Sequence, residues 1–318
     1  MLDHYLHTAY AAALVLKPSR EPLILAPPRS GVTPEHLHDY QRALGWFEAE
    51  HNVLLAVLAI AAKTGFDACV CQLPSAMTDF LDRRGYWHES AALQRTALAA
   101  ARRLGDTAGE AMVGRTLGTA CAWLTDFDQA RAYMTDSLRL YRKLGDRGGQ
   151  ARVHQSLGWL AGCEDRRGDS LGHAEQALRL FQAIGNRAGQ AAAFNAVGWC
   201  HAILGDPQRA LPFCRRALAL NQELGLRRDE AHAWDSVGYA EHQLGHHGDA
   251  ADCYHNALRL FRELGYRFNE AVILTHLGDA RHAADDQQQA RDAWQQALVI
   301  LDDLRHPDAD KVRAKLGR

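Results

Sequence analysis

The chain has 318 residues, 47% of them hydrophobic and 23% charged, with 36 basic against 38 acidic side chains. This is the make-up of a globular protein with ample core material, which excludes a disordered or fibrous chain. The near-balance of charge leaves no electrostatic footprint for nucleic acid or an anionic membrane.

Residues 1–63 read as a helical lead-in. The start Met1-Leu2-Asp3-His4 lacks the basic opening of a secretory signal, and Leu2 to Leu16 predicts a helix. Pro18, Pro22, Pro27 and Pro28 make residues 17–34 a stiff, irregular linker. Thr33 followed by Pro34 predicts the start of a second helix carrying Trp46, Phe47, Leu54, Leu55 and Leu58. Its apolar face is expected to cover the open end of a solenoid built from the rest of the chain. Its apolar run from Leu54 to Ala62 is too short to span a bilayer.

From residue 104 to 303 the chain repeats itself five times with a period of 40 residues and no insertion. Each copy opens on an aliphatic residue and Gly (Gly105, Gly145, Gly185, Gly225, Gly265) and carries Ala at its eighth position. An aliphatic-Gly pair comes next (Leu117-Gly118, Leu157-Gly158, Val197-Gly198, Val237-Gly238, Leu277-Gly278), then a small residue and a late small-Leu pair. A fixed period of this length means stacked hairpins. Within the third copy, Ala191 to Ile203 has helical spacing and Gly205 stops it. Asp206 and Pro207 start a second helix that runs to Glu223, and Gly225 is placed as its left-handed stop. The Gly and Ala columns are where two helices must approach closely. One hairpin cannot bury its apolar face alone, so the copies must stack. Residues 64–103 form a degenerate copy in the same frame, and residues 304–318 give a polar capping helix, roughly Asp308 to Leu316.

The spacing Leu277-Gly278, Ala290, Trp294, Ala297 resembles the tetratricopeptide repeat (TPR), in a long-period form with junctions such as Leu144-Gly145-Asp146-Arg147-Gly148-Gly149-Gln150. The late Pro usual in that family is absent. The resemblance implies an all-α, right-handed solenoid. A second set of features covers the rest of the chain: Leu2-Asp3-His4-Tyr5-Leu6, the Pro-rich linker, Trp46-Phe47 with Glu50-His51-Asn52, Arg84-Gly85-Tyr86-Trp87, and Ala293 to Leu298 with His306-Pro307-Asp308. These resemble the C-terminal TPR region of actinobacterial SARP/AfsR-type regulators, in which a sensor array follows a DNA-binding domain and an NB-ARC ATPase. The chain has no G-x-x-x-x-G-K-[ST] phosphate loop. It therefore reads as a piece of such a regulator or a stand-alone relative that kept only the array.

The resemblance implies that the first helix of each copy lines a concave groove. The residues it places there are Arg115 and Trp123; Arg152, Gln155 and Trp159; Asn195 and Trp199; His232, Asp235, Tyr239 and His242; Thr275, Asp279 and His282. A row of large aromatics beside a polar row suits recognition of a peptide backbone or carboxylate. The same aromatics could instead pack against the preceding hairpin. Arg115 and Arg152 against Asp235 and Asp279 could orient an extended ligand, or be an ordinary solvated face.

Chemical constellations are weaker. His242, His246 and His247 fall at a turn rather than in a ligand set. Cys69 and Cys71 diverge on a helix. Cys200 and His201 are adjacent and cannot face each other. The other cysteines, Cys121, Cys163, Cys214 and Cys253, sit like these mostly in apolar helical patterns, as reduced thiols of a cytoplasmic protein do. The expected function is a non-enzymatic interaction or sensor module without cofactor or metal. Its partner would be a protein or peptide segment, a small effector, or sister ATPase and DNA-binding domains. The alternative is a structural scaffold that self-associates end to end or through the Trp46/Trp87 region.

Overall fold

The computed structural model describes residues 1–317, and all regular structure among them is helical. The lead-in comprises α1 (Leu2–Leu16) and α2 (Tyr40–Lys63). Two hairpins come after it, α3 (Asp67–Arg84) with α4 (Trp87–Leu104) and α5 (Thr107–Trp123) with α6 (Phe127–Leu144); then the helices α7 (Arg147–Cys163) and α8 (Arg167–Ala183); then three more hairpins, α9 (Arg187–Ile203) with α10 (Pro207–Leu224), α11 (Arg227–Gln243) with α12 (His247–Leu264), and α13 (Arg267–Ala283) with α14 (Gln287–Asp303). A short helix, α15 (Asp308–Lys315), closes the chain. The architecture is the helical-hairpin solenoid that the 40-residue period predicts. It falls into two compact units, Met1–Leu160 and Ala161–Arg318.

The hairpin ends follow from their sequence. Gly225 takes φ +65°, a region closed to most side chains. This lets Leu226 N–H donate to Asn221 O at 2.9 Å and stop α10. Asp206 accepts from Arg209 N–H at 3.2 Å and Asn186 from Gly189 N–H at 2.8 Å, each satisfying an orphan donor of a first turn. Inside the hairpins, Gly198 allows the close approach: a Cβ there would lie 2.4 Å from Cys214 Sγ and 3.1 Å from the Ala210 carbonyl oxygen. The Ala column is sealed, with Ala111, Ala151, Ala191, Ala231 and Ala271 all without exposure.

First helices also touch one another: α3 with α5 in the first unit, and α9 with α11 and α11 with α13 in the second. Among the described residues, no two second helices are in comparable contact. Within each unit the first helices therefore form the tighter wall. In the second unit the hairpins are also laced by a repeated ion pair. Arg187 meets Glu223 at 2.6 Å, Arg267 meets Asp303 at 2.9 Å, and Arg227 meets Glu263 in the copy between. Each is exposed and screened by solvent, so each is weak by itself; their recurrence at one frame position reflects the constant register of the repeats.

The lead-in corrects two expectations. The second helix does not begin at Pro34 but at Tyr40, where Asp39 accepts from Arg42 N–H at 2.8 Å. Thr33 and Glu35 are held non-helical by α1: His4 Nδ1 lies 2.9 Å from the Thr33 carbonyl, and Glu35 N–H donates to Thr8 Oγ1 at 3.1 Å. At 24 residues, α2 is also long and apolar enough to cross a membrane by composition. It instead buries Trp46, Phe47, Leu54, Val57, Leu58 and Ala61, and packs on α1 and α3. Phe47 stacks on Phe80 at 5.2 Å, so the helix serves as a core element of the first unit.

Candidate functional site

In the first unit, Arg115 is half-buried and already paired. Its Nη2 donates to Glu21 Oε2 at 2.8 Å, and the Tyr141 hydroxyl donates to Glu21 Oε1 at 2.7 Å. Burial alone would raise the Glu21 carboxyl. The Arg115 and Arg152 charges and the two hydrogen bonds outweigh it and hold the group below its ordinary value. Arg115 and Arg152 are thus brought together around one carboxylate, which the sequence placed in a linker. Trp123 and Trp159 are also brought together, with ring centroids 4.9 Å apart, and Trp87 stacks on Trp123 at 5.2 Å. Gln155 is half-buried on α7.

In the second unit, Trp199 and Tyr239 lie side by side at 4.8 Å, both half-buried. His276, which sequence reasoning missed, stands 6.2 Å from Trp199 and 5.7 Å from Tyr239, and its Nδ1 meets Asp235 at 2.8 Å. It falls one position beyond the polar column, and only its i,i+3 relation to Asp279 could have flagged it. Asn195 lies one turn before Trp199 on α9, and its buried Oδ1 has no hydrogen-bond partner. Asp279 accepts from Trp294 Nε1 at 3.0 Å and from Lys315 Nζ at 2.8 Å. Three candidates look elsewhere. Thr275 donates back to Ala271 O at 2.9 Å, His232 packs edge-on against Phe261 at 4.9 Å, and the exposed His282 meets Gln287 at 3.0 Å. His242 sits against His247 at 3.1 Å, and burial, then the His247 charge, pull its pKa below the ordinary value. The four charges expected to orient a ligand therefore meet countercharges of this chain: Glu21 for both arginines, His276 for Asp235, and Lys315 for Asp279.

The Asp235–His276 pair carries a pH dependence. Burial pulls the imidazolium down, but the Asp235 carboxylate, its hydrogen bond and Asp279 outweigh burial and the opposing Lys315 charge. The ring titrates above its ordinary value. A raised histidine stabilises the folded state fully below its unfolded pKa of about 6.5 and ceases to do so as pH rises through the folded value. Denaturant unfolding should therefore show a larger deficit for His276→Gln at about pH 5.5 than at about pH 8.5. An equal deficit at both would mean that folding leaves the ring's pKa unshifted.

The remaining clusters have structural explanations. Glu241, His246 and Asp249 place one ligand atom each within 4.8 Å of one another. The Glu241 carboxylate, however, already meets Arg215 and His246, each at 2.8 Å, which is an ion-pair network. Cys200 Sγ lies 3.2 Å from Ser170 Oγ rather than near His201, whose ring stacks on Phe213 at 5.7 Å. Six of the seven thiols are buried and Cys163 is exposed. Burial pushes Cys69, Cys71 and Cys253 up to about 11 and Cys214 up to about 12, which leaves them unreactive at neutral pH.

Comparison with known proteins agrees with the fold. Residues 108–183 match the tetratricopeptide-repeat family. That stretch is therefore of TPR type. Among solved structures, the apo form of RapI superposes with a TM-score of 0.65 at 11% identity, over 82% of this chain and 96% of that one. A Rap protein complexed with competence and sporulation factor gives 0.56 at 16% identity, over 89% and 86%. A STAND signal-transduction ATPase with a tetratricopeptide repeat sensor, from Pyrococcus horikoshii, gives 0.51 at 12% identity, over 86% of this chain and 49% of that one. At these identities the likeness is one of fold. No curated protein sequence matches the chain.

Proposed function

We propose that this chain is a non-enzymatic interaction or sensor module of a bacterial cytoplasmic transcriptional regulator of SARP/AfsR type, binding a protein segment, peptide or small effector along its first-helix wall. The sister ATPase and DNA-binding domains of such a regulator are candidate partners. The observation that carries the reading is in the second unit. Half-buried Trp199 and Tyr239 offer rigid aromatic area beside Asn195, whose Oδ1 has no partner. A buried acceptor left unbonded costs about 1–3 kcal/mol, and a ligand donor arriving there would recover it. Large aromatics beside polar groups are the usual anchors of a binding surface. Two neighbours lend support by analogy of fold: one is a repeat sensor on a STAND ATPase and another is a complex with a factor.

The test starts with peptides selected on the full chain from a displayed random library. Their affinity is then measured by fluorescence anisotropy for wild type, Trp199→Ala and Asn195→Ala. Loss of an anchor worth about 2 kcal/mol should weaken binding by about thirtyfold in Trp199→Ala. Unchanged affinity in both variants would overturn the reading, and self-association by light scattering would then favour the scaffold.

A further inference from the structure

Residues Lys17–Leu25 do not behave as a linker. The segment turns at Pro18–Ser19, where Arg20 N–H donates to Lys17 O at 3.1 Å, and runs on from Glu21 without regular structure; Lys17, Arg20, Glu21, Leu23 and Ile24 each meet a group of α1, α3, α5 or α6. Lys17 Nζ lies 3.4 Å from Asp79 Oδ1, and Arg20 Nη1 lies 3.6 Å from Asp79 Oδ2. Arg20 also donates to the Ser75 and Ala76 carbonyls at 2.5 and 3.4 Å. Glu21 is held by Arg115 and Tyr141, with the Arg152 charge facing it. Leu23 is buried and its N–H donates to the Tyr10 hydroxyl at 3.1 Å, while Gln72 Nε2 donates to the Ile24 carbonyl at 3.0 Å.

In the repeat frame the α3 contacts fall at Gln72, Ser75, Ala76 and Asp79, and Arg115 falls at the position of Ser75 in the next copy. Apart from Ala76 these are the columns expected to face a ligand. Main-chain contacts together with matched charges are how a folded surface reads a peptide segment. The proline-fixed backbone lowers the entropy lost on docking.

We propose that this wall is a peptide-binding site occupied by the chain's own residues 17–25. Once they leave, it takes in trans a segment of the same chemistry: a basic residue followed directly by an acidic one, flanked by proline. Arg115, Tyr141 and Arg152 select the carboxylate, and Asp79 selects the cation. The inference rests on the reading of the first-helix wall as a binding surface, but uses a different part of it.

The experiment uses the full chain and a fluorescent peptide of residues 17–25. Wild type should bind it weakly, because the internal copy competes at high effective concentration. The Arg20→Ala, Glu21→Ala double variant, which disarms that copy, should bind at least about tenfold more tightly. Adding Arg115→Ala to it should abolish the gain, whereas adding Trp199→Ala should leave it intact. Equal affinity of wild type and the double variant, or no binding by either, would overturn the proposal while leaving the Trp199 and Asn195 test untouched. A second measurement does not depend on the double variant folding. Trypsin has one usable site in the segment, after Arg20, because Lys17 precedes proline. Cleavage there should be at least about tenfold faster in Arg115→Ala than in wild type. An unchanged rate would show that Arg115 does not hold the segment.

Discussion

Gly198→Val should cost at least about 3 kcal/mol and lower the unfolding midpoint of the second unit by about 10 °C. The Cβ position there is 2.4 Å from Cys214 Sγ, 3.0 Å from the Cys214 amide nitrogen and 3.1 Å from the Ala210 carbonyl oxygen. A sulfur can turn away, but two backbone atoms of α10 cannot, so α9 and α10 must separate. Cys214 and Ala210 have no exposure, and prising them apart opens the core of the hairpin. Adding Cys214→Ala should recover part of the loss, giving a coupling free energy of about 1 kcal/mol in a double-mutant cycle. The control is Gly205→Ala. Gly205 has the more unusual backbone, φ +83°, but nothing lies within 4 Å of its Cβ position. Its cost is that of a left-handed residue alone, about 1 kcal/mol. Urea unfolding followed by circular dichroism gives both numbers, and equal losses would show that strain at the turn, not helix approach, makes the glycine column.

The difference between those two glycines also marks what the sequence could and could not tell. The columns of Gly198 and Gly225 were legible because each copy must solve one packing problem, and the solution recurs every 40 residues. The face of each helix was legible for the same reason: Trp199 and Tyr239 share a column and lie together. Partners were not legible, because a column assigns a direction and nothing more. Arg115 points along the wall as its column implies, yet it meets Glu21, 94 residues away in a stretch with no periodicity. Asp235 pairs with His276 of the following hairpin, one position off the polar column. Lys315 reaches Asp279 from a helix outside the repeat altogether. Proline at a first helical position is only permissive, so Pro34 does not mark the start of α2. The contacts that decide it, from His4 and Thr8, come from another helix.

Asp79→Ala should separate a docked peptide from a core element. The Asp79 carboxylate is 9% exposed and faces Lys17 and Arg20, and the Arg20 side chain is itself 8% exposed. Stripping a buried ion pair of one partner ordinarily costs about 3–5 kcal/mol, because the other charge is left in a low-dielectric site. That figure assumes the stranded charge stays put. Arg20 sits on a non-helical segment whose retreat returns it to water, so the loss is capped by whatever holds residues 17–25 in place. If those residues are a docked peptide, the variant should lose only about 2 kcal/mol of global stability. Trypsin cleavage after Arg20 should rise at least about tenfold. Asp79→Asn, which keeps an acceptor oxygen but no charge, should fall between the two on both measures. If the segment is instead integral to the core, Asp79→Ala should lose the full amount with cleavage rising only in step with global unfolding, because Arg20 then has nowhere to go until the unit opens. The ratio of local to global loss, rather than either alone, decides whether the wall of the first unit is built around its peptide or merely filled by it.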